Sequence, residues 1–206
     1  MPPFEAQNTA ELAEAAKQEL RKRLRALRLA HPAEALAARS RAIVTRVSEL
    51  PLFASAASVA LFFPMLDRKE VDLRLLDGEA RRRGKRVYYP FLDRRGDTLV
   101  SGFRLTGSLD DLRDCGQRFL EPPPEAPVAE RGDVELVLVP ALAAAPSGHR
   151  LGYGAGFYDS LLPDVRPPAR AVVVVYDFQL LVELPALPHD VPCDLVVTDT
   201  RALTPT

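Results

Sequence analysis

The chain has 206 residues and a mass of 22.6 kDa, with 47% hydrophobic and 27% charged residues, the proportions of an ordinary globular protein and not of a disordered or fibrous one. Its 28 acidic residues offset 27 basic ones to a net charge of −1, which removes global basicity as an argument for a nucleic-acid partner and makes any anion site local. Cys115 and Cys193 lack C-x-x-C or zinc-ligand spacing, which argues for a reduced compartment and against structural zinc.

No apolar run approaches the roughly 18 residues that span a bilayer, and Met1 to Ala10 has no positive region followed by an apolar core. A cytoplasmic monomer with no membrane or nucleic-acid partner is expected. Residues 1–10 are read as a frayed end, and 11–206 as one domain whose first part, 11–50, is helical.

In chain order, Leu12, Ala16, Leu20, Leu24 and Leu27 form a helical stripe. Beside it runs a row of one sign, Lys17, Arg21, Arg25 and Arg28. Like charges at this spacing repel by a few tenths of a kcal/mol each. The row is either a solvated face near Glu14 and Glu19 or a surface laid over something anionic. RNA is a poor candidate, because no aromatic residue stands among these cations for bases to stack on.

His31 and Pro32 break the helix, and a second stripe follows at Leu36, Ser40, Ile43, Val47 and Leu50, ended by Pro51. Strand-length runs are then expected at 59–63, 86–89, 99–105, 135–139, 171–176 and 195–198, with helices at 72–83 and near 157–162. The Pro-rich stretch 121–127 reads as a surface loop. Short β-rich runs separated by helices predict an α/β fold with a mainly parallel sheet covered on both faces.

The most informative segment is Arg150-Leu151-Gly152-Tyr153-Gly154-Ala155-Gly156-Phe157-Tyr158-Asp159. Glycines at alternate positions allow positive φ and let successive N–H groups converge on an anion. A helix starting near Gly156 would add its positive end. Arg150 could add a bidentate phosphate contact. The dinucleotide fingerprint and the Walker A loop are both excluded, the first by distance from the preceding strand and the second by Phe157 where a Lys is required. A structural turn remains the alternative for a bare G-x-G-x-G.

Asp159 and Asp194 are the carboxylates expected at a metal, since Mg²⁺ prefers one or two carboxylates with water and phosphate oxygens. The competing readings are a first-turn helix carboxylate for Asp159 and a strand-edge loop residue for Asp194. His149 and the His189-Asp190 pair are weaker candidates, and no nucleophilic triad is present.

With R-L-G-x-G-x-G-F-Y-D at 150–159, Lys17 to Arg21, Glu70-Val71-Asp72, and Asp194 to Thr198 as D-x-x-x-T, the sequence resembles the 5-formyltetrahydrofolate cyclo-ligase family over nearly its whole length. The resemblance implies a three-layer α/β/α sandwich akin to the sugar-phosphate isomerase and CoA-transferase-like fold, with an N-terminal helical extension. It implies an ATP- and Mg²⁺-dependent enzyme that converts 5-formyltetrahydrofolate to 5,10-methenyltetrahydrofolate and releases ADP and phosphate.

Carried over residue by residue, Lys17, Arg21 and Arg150, Leu151, Gly152, Tyr153, Gly154, Ala155, Gly156, Phe157 and Tyr158 fall on the ATP site. Phe63, Glu70 and Tyr153 fall on the folate pocket, and Asp159 and Asp194 on the metal site. Arg150 and Tyr153 are the expected catalytic side chains. The family's usual P-G-[LV]-[AG]-F-D is here Pro140 to Ala145, so its Phe and Asp are Ala144 and Ala145, and a common Glu is Leu187. These departures leave a nucleotide- or folate-binding relative without turnover as the alternative.

Overall fold

The computed structural model describes residues 3–117 and 119–205, and only the backbone for residues 3–10 and 95. Helix α1 (Pro3–Ala30) leads to α2 (Ala33–Ser48) and the short α3 (Pro51–Ser55), where Pro51 opens a new helical turn instead of merely ending the old one. The expected fraying of residues 1–10 lies partly outside the described residues; the backbone from Pro3 onward is helical.

Strand β1 (Ser58–Ala60) and helix α4 (Arg74–Arg82) precede a hairpin of β2 (Arg86–Arg95) and β3 (Thr98–Leu105), turned at Gly96 with φ 61°. Strand β4 (Leu136–Pro140) is followed by a two-stranded ribbon of β5 (Ala143–Ala144) and β6 (Arg150–Leu151). Helix α5 (Phe157–Val165), β7 (Arg170–Val174), β8 (Leu195–Val197) and β9 (Ala202–Leu203) complete the chain.

The main sheet runs β3-β2-β1-β4-β7-β8-β9. Strands β2, β1, β4, β7 and β8 are parallel, while β3 and β9 pair antiparallel at the two edges. Alternation along the strands divides the core in two, as the pleat requires. Val59, Leu61, Leu136, Leu138, Val172 and Val174 pack with Ile43, Val47, Phe53 and Leu76 from α2, α3 and α4. Ala60, Val137, Val139, Ala171 and Val173 face the other way, against Leu161, Leu162 and Val165 of α5. The three-layer expectation is thereby met. Among the described residues, no helix is long and apolar enough to cross a membrane.

In space the parallel strands follow the order second, first, third, fourth, fifth of their sequence order, so the direction of progression reverses between β1 and β4. Chains leaving the carboxyl ends of those two strands diverge to opposite faces and leave a crevice, the usual ligand position in open α/β sheets.

Only part of the leucine stripe of α1 is buried. Leu12 and Leu27 are exposed, whereas Lys17, Leu24 and Arg28 are buried. Leu24 packs with Leu142, Ala143, Ala145, Leu151 and Leu184, so α1 rides on the ribbon and not on the main sheet. Its C-terminal end is fixed by Lys69, whose ammonium donates to the carbonyls of Leu29 and His31, both at 2.7 Å.

Thr198 of the D-x-x-x-T segment serves the sheet's far end. Asp177, after β7, accepts from Thr198 Oγ1 at 2.9 Å, Thr200 Oγ1 at 2.5 Å and both Nε and Nη2 of Arg201 at 3.1 Å. Arg201 first, with the two threonine hydroxyls, lowers its pKa to about 2 against the opposing effect of burial. A folded-state value below the unfolded one stabilises the protein above the usual Asp range, and that stability fades as pH falls from about 4. In urea melts across this range, the wild-type midpoint should drop between pH about 4 and about 2. Asp177→Asn should start lower at neutral pH and lose that part of the drop.

Candidate active site

The crevice at the β1/β4 reversal holds a cavity of about 740 Å³. Phe62 and Phe63 reach it from the end of β1, Pro90 and Leu92 from β2, and Pro140 from the end of β4. The whole segment from Arg150 to Asp159 lines it, as do Lys17 and Arg21 from α1 and Glu70 from the turn after β1. The sequence-predicted residues thus converge, with the exception of Asp194.

The loop is shaped by its glycines and by α1. Gly154 has φ 104° and Gly156, the residue before α5, has φ 64°, conformations that a side chain would strain. At Gly154 an added Cβ would sit 3.6 Å from the Arg21 guanidinium. Arg21 Nε donates to the Gly152 carbonyl at 3.2 Å, and Arg25 Nη2 to the Tyr153 carbonyl at 3.3 Å. Arg28 Nη2 donates to the Tyr153 hydroxyl at 2.7 Å. The one-sided basic row therefore lies over the glycine loop and takes up its oxygen atoms. Lys17 reaches Asp190 at 2.5 Å, and Arg21 also pairs with Glu14 at 2.8 Å. Glu19 instead serves the exposed Arg23.

Arg150 and Asp159 behave differently from expectation. The Arg150 side chain is 4% exposed; Nη2 donates to Asp159 Oδ1 at 2.8 Å and Nη1 to the Val191 carbonyl. Both terminal nitrogens thus have protein acceptors, so a fork aimed freely at phosphate is absent. Asp159 Oδ1 also accepts from Val191 N–H at 3.1 Å. Arg150 ties the loop, the first turn of α5 and the strand-like stretch 191–193 into one unit. Asp194 stands outside the cavity lining and is claimed by Arg166 at 3.0 Å, Arg170 at 3.2 Å and the Ala171 N–H at 2.7 Å. The two carboxylates expected to share a metal are not brought together, because Asp194 braces β7 against β8.

Glu70 is 5% exposed. Its Oε2 accepts from Met65 N–H at 2.8 Å and its Oε1 from the Tyr153 hydroxyl. Burial raises its pKa above the ordinary carboxylate value, against the opposing pull of Tyr153, Met65, Arg28 and Arg68. Burial likewise raises the Tyr153 hydroxyl, with Glu70 adding to the effect. Tyr153 is ringed by cations: the guanidiniums of Arg25, Arg28 and Arg68 lie 5.9, 5.7 and 5.3 Å from its ring centre.

The weaker histidine candidates stay marginal. His149 Nδ1 meets Ser147 Oγ at 3.1 Å, and His189 is exposed with its ring 3.9 Å from Asp190. Asp190 instead takes Lys17 and the Leu187 N–H at 2.7 Å, so the Leu187 departure leaves a backbone donor in use. Ala144 and Ala145 are fully buried; Ala144 pairs with Arg150 in the ribbon, and Ala145 N–H donates to the His149 carbonyl at 2.9 Å. Backbone pairing and small-residue packing thus hold the loop where the family more often carries Phe and Asp. Adding those larger residues here would overpack a closed core.

Sequence reasoning passed over Arg68, Met65, Gln117 and Phe119 on the cavity wall. They sit in irregular segments with no periodicity to mark them. Arg28 was visible in the basic row, but nothing distinguished it and Lys17 as the buried members.

A profile described as the 5-formyltetrahydrofolate cyclo-ligase family matches residues 13–199. The chain belongs to this family. The 5-formyltetrahydrofolate cyclo-ligase of Mycolicibacterium smegmatis is 48% identical over 82 residues, a match covering 40% of this chain and 42% of that protein, so it spans less than half of the relative. The Escherichia coli K12 cyclo-ligase is 30% identical over 161 residues, covering 76% of this chain and 86% of the relative. Among solved structures, the 5,10-methenyltetrahydrofolate synthetase of Aquifex aeolicus superposes with a TM-score of 0.78 at 30% identity, covering 91% of this chain and 92% of that one.

Within this cyclo-ligase fold, Arg150→Ala should strand the Asp159 carboxylate and free the loop from residues 191–193. A loss of about 3 kcal/mol in denaturant-derived stability is expected, the scale of breaking a buried pair from one side. An unchanged midpoint in urea would show that Arg150 is not the brace described.

Proposed function

We propose that this chain catalyses the ATP-dependent cyclisation of 5-formyltetrahydrofolate to 5,10-methenyltetrahydrofolate, with release of ADP and phosphate. The observation that carries this reading is the convergence of three features on one cavity: a glycine loop at the start of a helix, the cations Lys17 and Arg21 from α1, and a buried carboxylate, Glu70, bonded to the loop's Tyr153. The first two suit a polyphosphate and the third suits the N–H edge of a reduced pterin.

The formyl group resembles an amide, so its carbon is a poor electrophile. Transfer of the γ-phosphoryl group to the formyl oxygen, with ADP leaving, turns that oxygen into a leaving group. The neighbouring aniline nitrogen then bonds to the formyl carbon, loses its proton, and the carbon–oxygen bond to phosphate breaks. Such chemistry depends on positioning and charge neutralisation more than on acid–base groups. That accords with a site rich in cations and lacking a hydrolytic triad.

Cations of the chain meet ligand-free partners that a nucleotide can replace. Lys17 is held by Asp190 and Arg21 by Glu14. Exchanging these carboxylates for phosphate oxygens leaves the cations paired throughout. With the loop's carbonyls at Gly152 and Tyr153 already engaged by Arg21 and Arg25, its N–H groups remain for phosphate.

Mg²⁺ commonly takes one or two carboxylates and completes its shell with phosphate and water. Among the described residues no group of three or more His, Cys, Asp and Glu converges, which is against a site built wholly of protein ligands. Asp159 lines the cavity with Oδ1 engaged and no protein donor on Oδ2 among the described residues. This fits one carboxylate ligand beside bound phosphates, and Asp194 is not proposed with it. A metal there would neutralise charge on the phosphates during transfer.

Purified protein given ATP, Mg²⁺ and 5-formyltetrahydrofolate should develop the near-ultraviolet absorbance of the methenyl product, and no product over a broad Mg²⁺ range would overturn the reading. Lys17→Met should raise KM for ATP by roughly tenfold or more, the cost of one charge-assisted hydrogen bond. KM for the folate should change far less.

A further inference from the structure

Arg28, in the last turn of α1, is 2% exposed. An arginine so placed loses several kcal/mol of hydration unless its donors and charge are matched. Among the described residues it has no carboxylate within 4.0 Å, and its Nε is buried without an acceptor. Among the described residues its side chain makes one hydrogen bond, to the Tyr153 hydroxyl, which in turn donates to Glu70 Oε1. An apolar side chain would fill this spot without the hydration penalty, so packing alone gives no reason for a guanidinium.

The pairing has a direction. Accepting from Arg28 occupies the lone pair of the Tyr153 oxygen and turns its proton toward Glu70. The positive charge of Arg28 then opposes a negative charge on Glu70 across one hydroxyl group. Lys69 makes this geometry rigid, because it joins the carbonyl end of α1 at Leu29 and His31 to the residue next to Glu70.

We propose that Arg28 is a positioning residue for the folate half of the site: through the Tyr153 hydroxyl it holds Glu70 as an ionised acceptor for the N–H groups of the reduced pterin, without touching the substrate. This role rests on the cyclo-ligase reading of the cavity. When the substrate enters, its N–H donor takes the remaining lone pair of Glu70 Oε1 beside the Tyr153 hydroxyl, which stays between Arg28 and Glu70.

The groups facing Glu70 are Arg28 from α1, Arg68 from the turn at Leu66–Arg68, Tyr153 from the loop, Tyr158 from α5 and Tyr176 after β7, whose hydroxyl donates to the Glu70 carbonyl at 3.0 Å. Only Arg28 and Arg68 carry charge among them. Burial already raises the Glu70 pKa, and Arg28 opposes that rise. Removing Arg28 moves the value further up.

The test measures equilibrium binding of 5-formyltetrahydrofolate, and separately of a non-hydrolysable ATP analogue, to wild type, Arg28→Met and Arg28→Lys, with a thermal melt of each. In Arg28→Met the folate Kd should rise by roughly tenfold or more at neutral pH, and the ATP-analogue Kd should stay within about twofold. Folate affinity falls as pH drops through the Glu70 value, and in Arg28→Met this fall should move to higher pH. Arg28→Lys keeps the charge but not the reach, so its folate Kd should lie between the two and its acid limb near that of wild type.

A merely structural Arg28 would raise both Kd values together and leave the acid limb in place, and either result would overturn the proposal. If Arg28→Met does not fold, Arg28→Lys decides: an unchanged folate Kd, or an equal rise in both, counts against the role. Wild-type protein that binds folate without turnover would refute the proposed activity and leave the Arg28 comparison intact. Wild-type protein that does not bind folate would overturn both.

Discussion

Three arginines along one face of α1 lie against the protein because the loop at 152–153 presents oxygen atoms to them. Arg21 and Arg25 take the carbonyls of Gly152 and Tyr153, and Arg28 takes the Tyr153 hydroxyl. For Arg28, which is buried, and Arg21, which is partly so, the contact answers a cation that would otherwise lose water without compensation. The same contacts engage the loop's carbonyl oxygens at Gly152 and Tyr153. Glycine at 154 suits the loop because its φ of 104° is one that a larger residue adopts only with strain. One set of interactions therefore anchors a helix and shapes a loop.

The sheet decides where that assembly stands. Reversal of strand order between β1 and β4 opens a crevice at their carboxyl ends. Phe62, Phe63 and Pro140 enter it directly from those strands, and Glu70 is the nearby carboxylate. The β5–β6 ribbon leads into the glycine loop that lines the crevice, and its close packing at Ala143 and Ala145 makes a floor for α1. Folate-side and nucleotide-side residues meet at Tyr153, whose backbone belongs to the loop and whose hydroxyl belongs to Glu70.

Several elements were legible from residue pattern because their signals are local. Short continuous apolar runs at 136–139 and 171–174 marked buried parallel strands, and Pro32, Gly84 and Gly156 punctuated helices near where they begin or end. The composition of 150–159 singled out the segment that lines the cavity. Other readings failed for a shared reason. The basic row of α1 was open between a solvated face and a surface over an anion, Arg150 was read as a phosphate fork and Asp194 as a metal carboxylate. In each case the side chain's partner lies far away in the chain: the loop at 152–153 for α1, Val191 for Arg150, and Arg166 and Arg170 for Asp194. Spacing along a helix or strand carries no information about such partners.

The order of residues by itself determined the α/β class, the mainly parallel sheet, the special character of the glycine loop and the presence of a one-sided basic helix. These depend on backbone preference and hydrophobic period, which act over a few residues. The tertiary structure alone decided which cations are buried, which carboxylates are free and which way the Tyr153 proton points. Burial and charge pairing are properties of neighbours in space, and residues 28, 70 and 153 become neighbours only once α1, the turn after β1 and the ribbon loop have packed together.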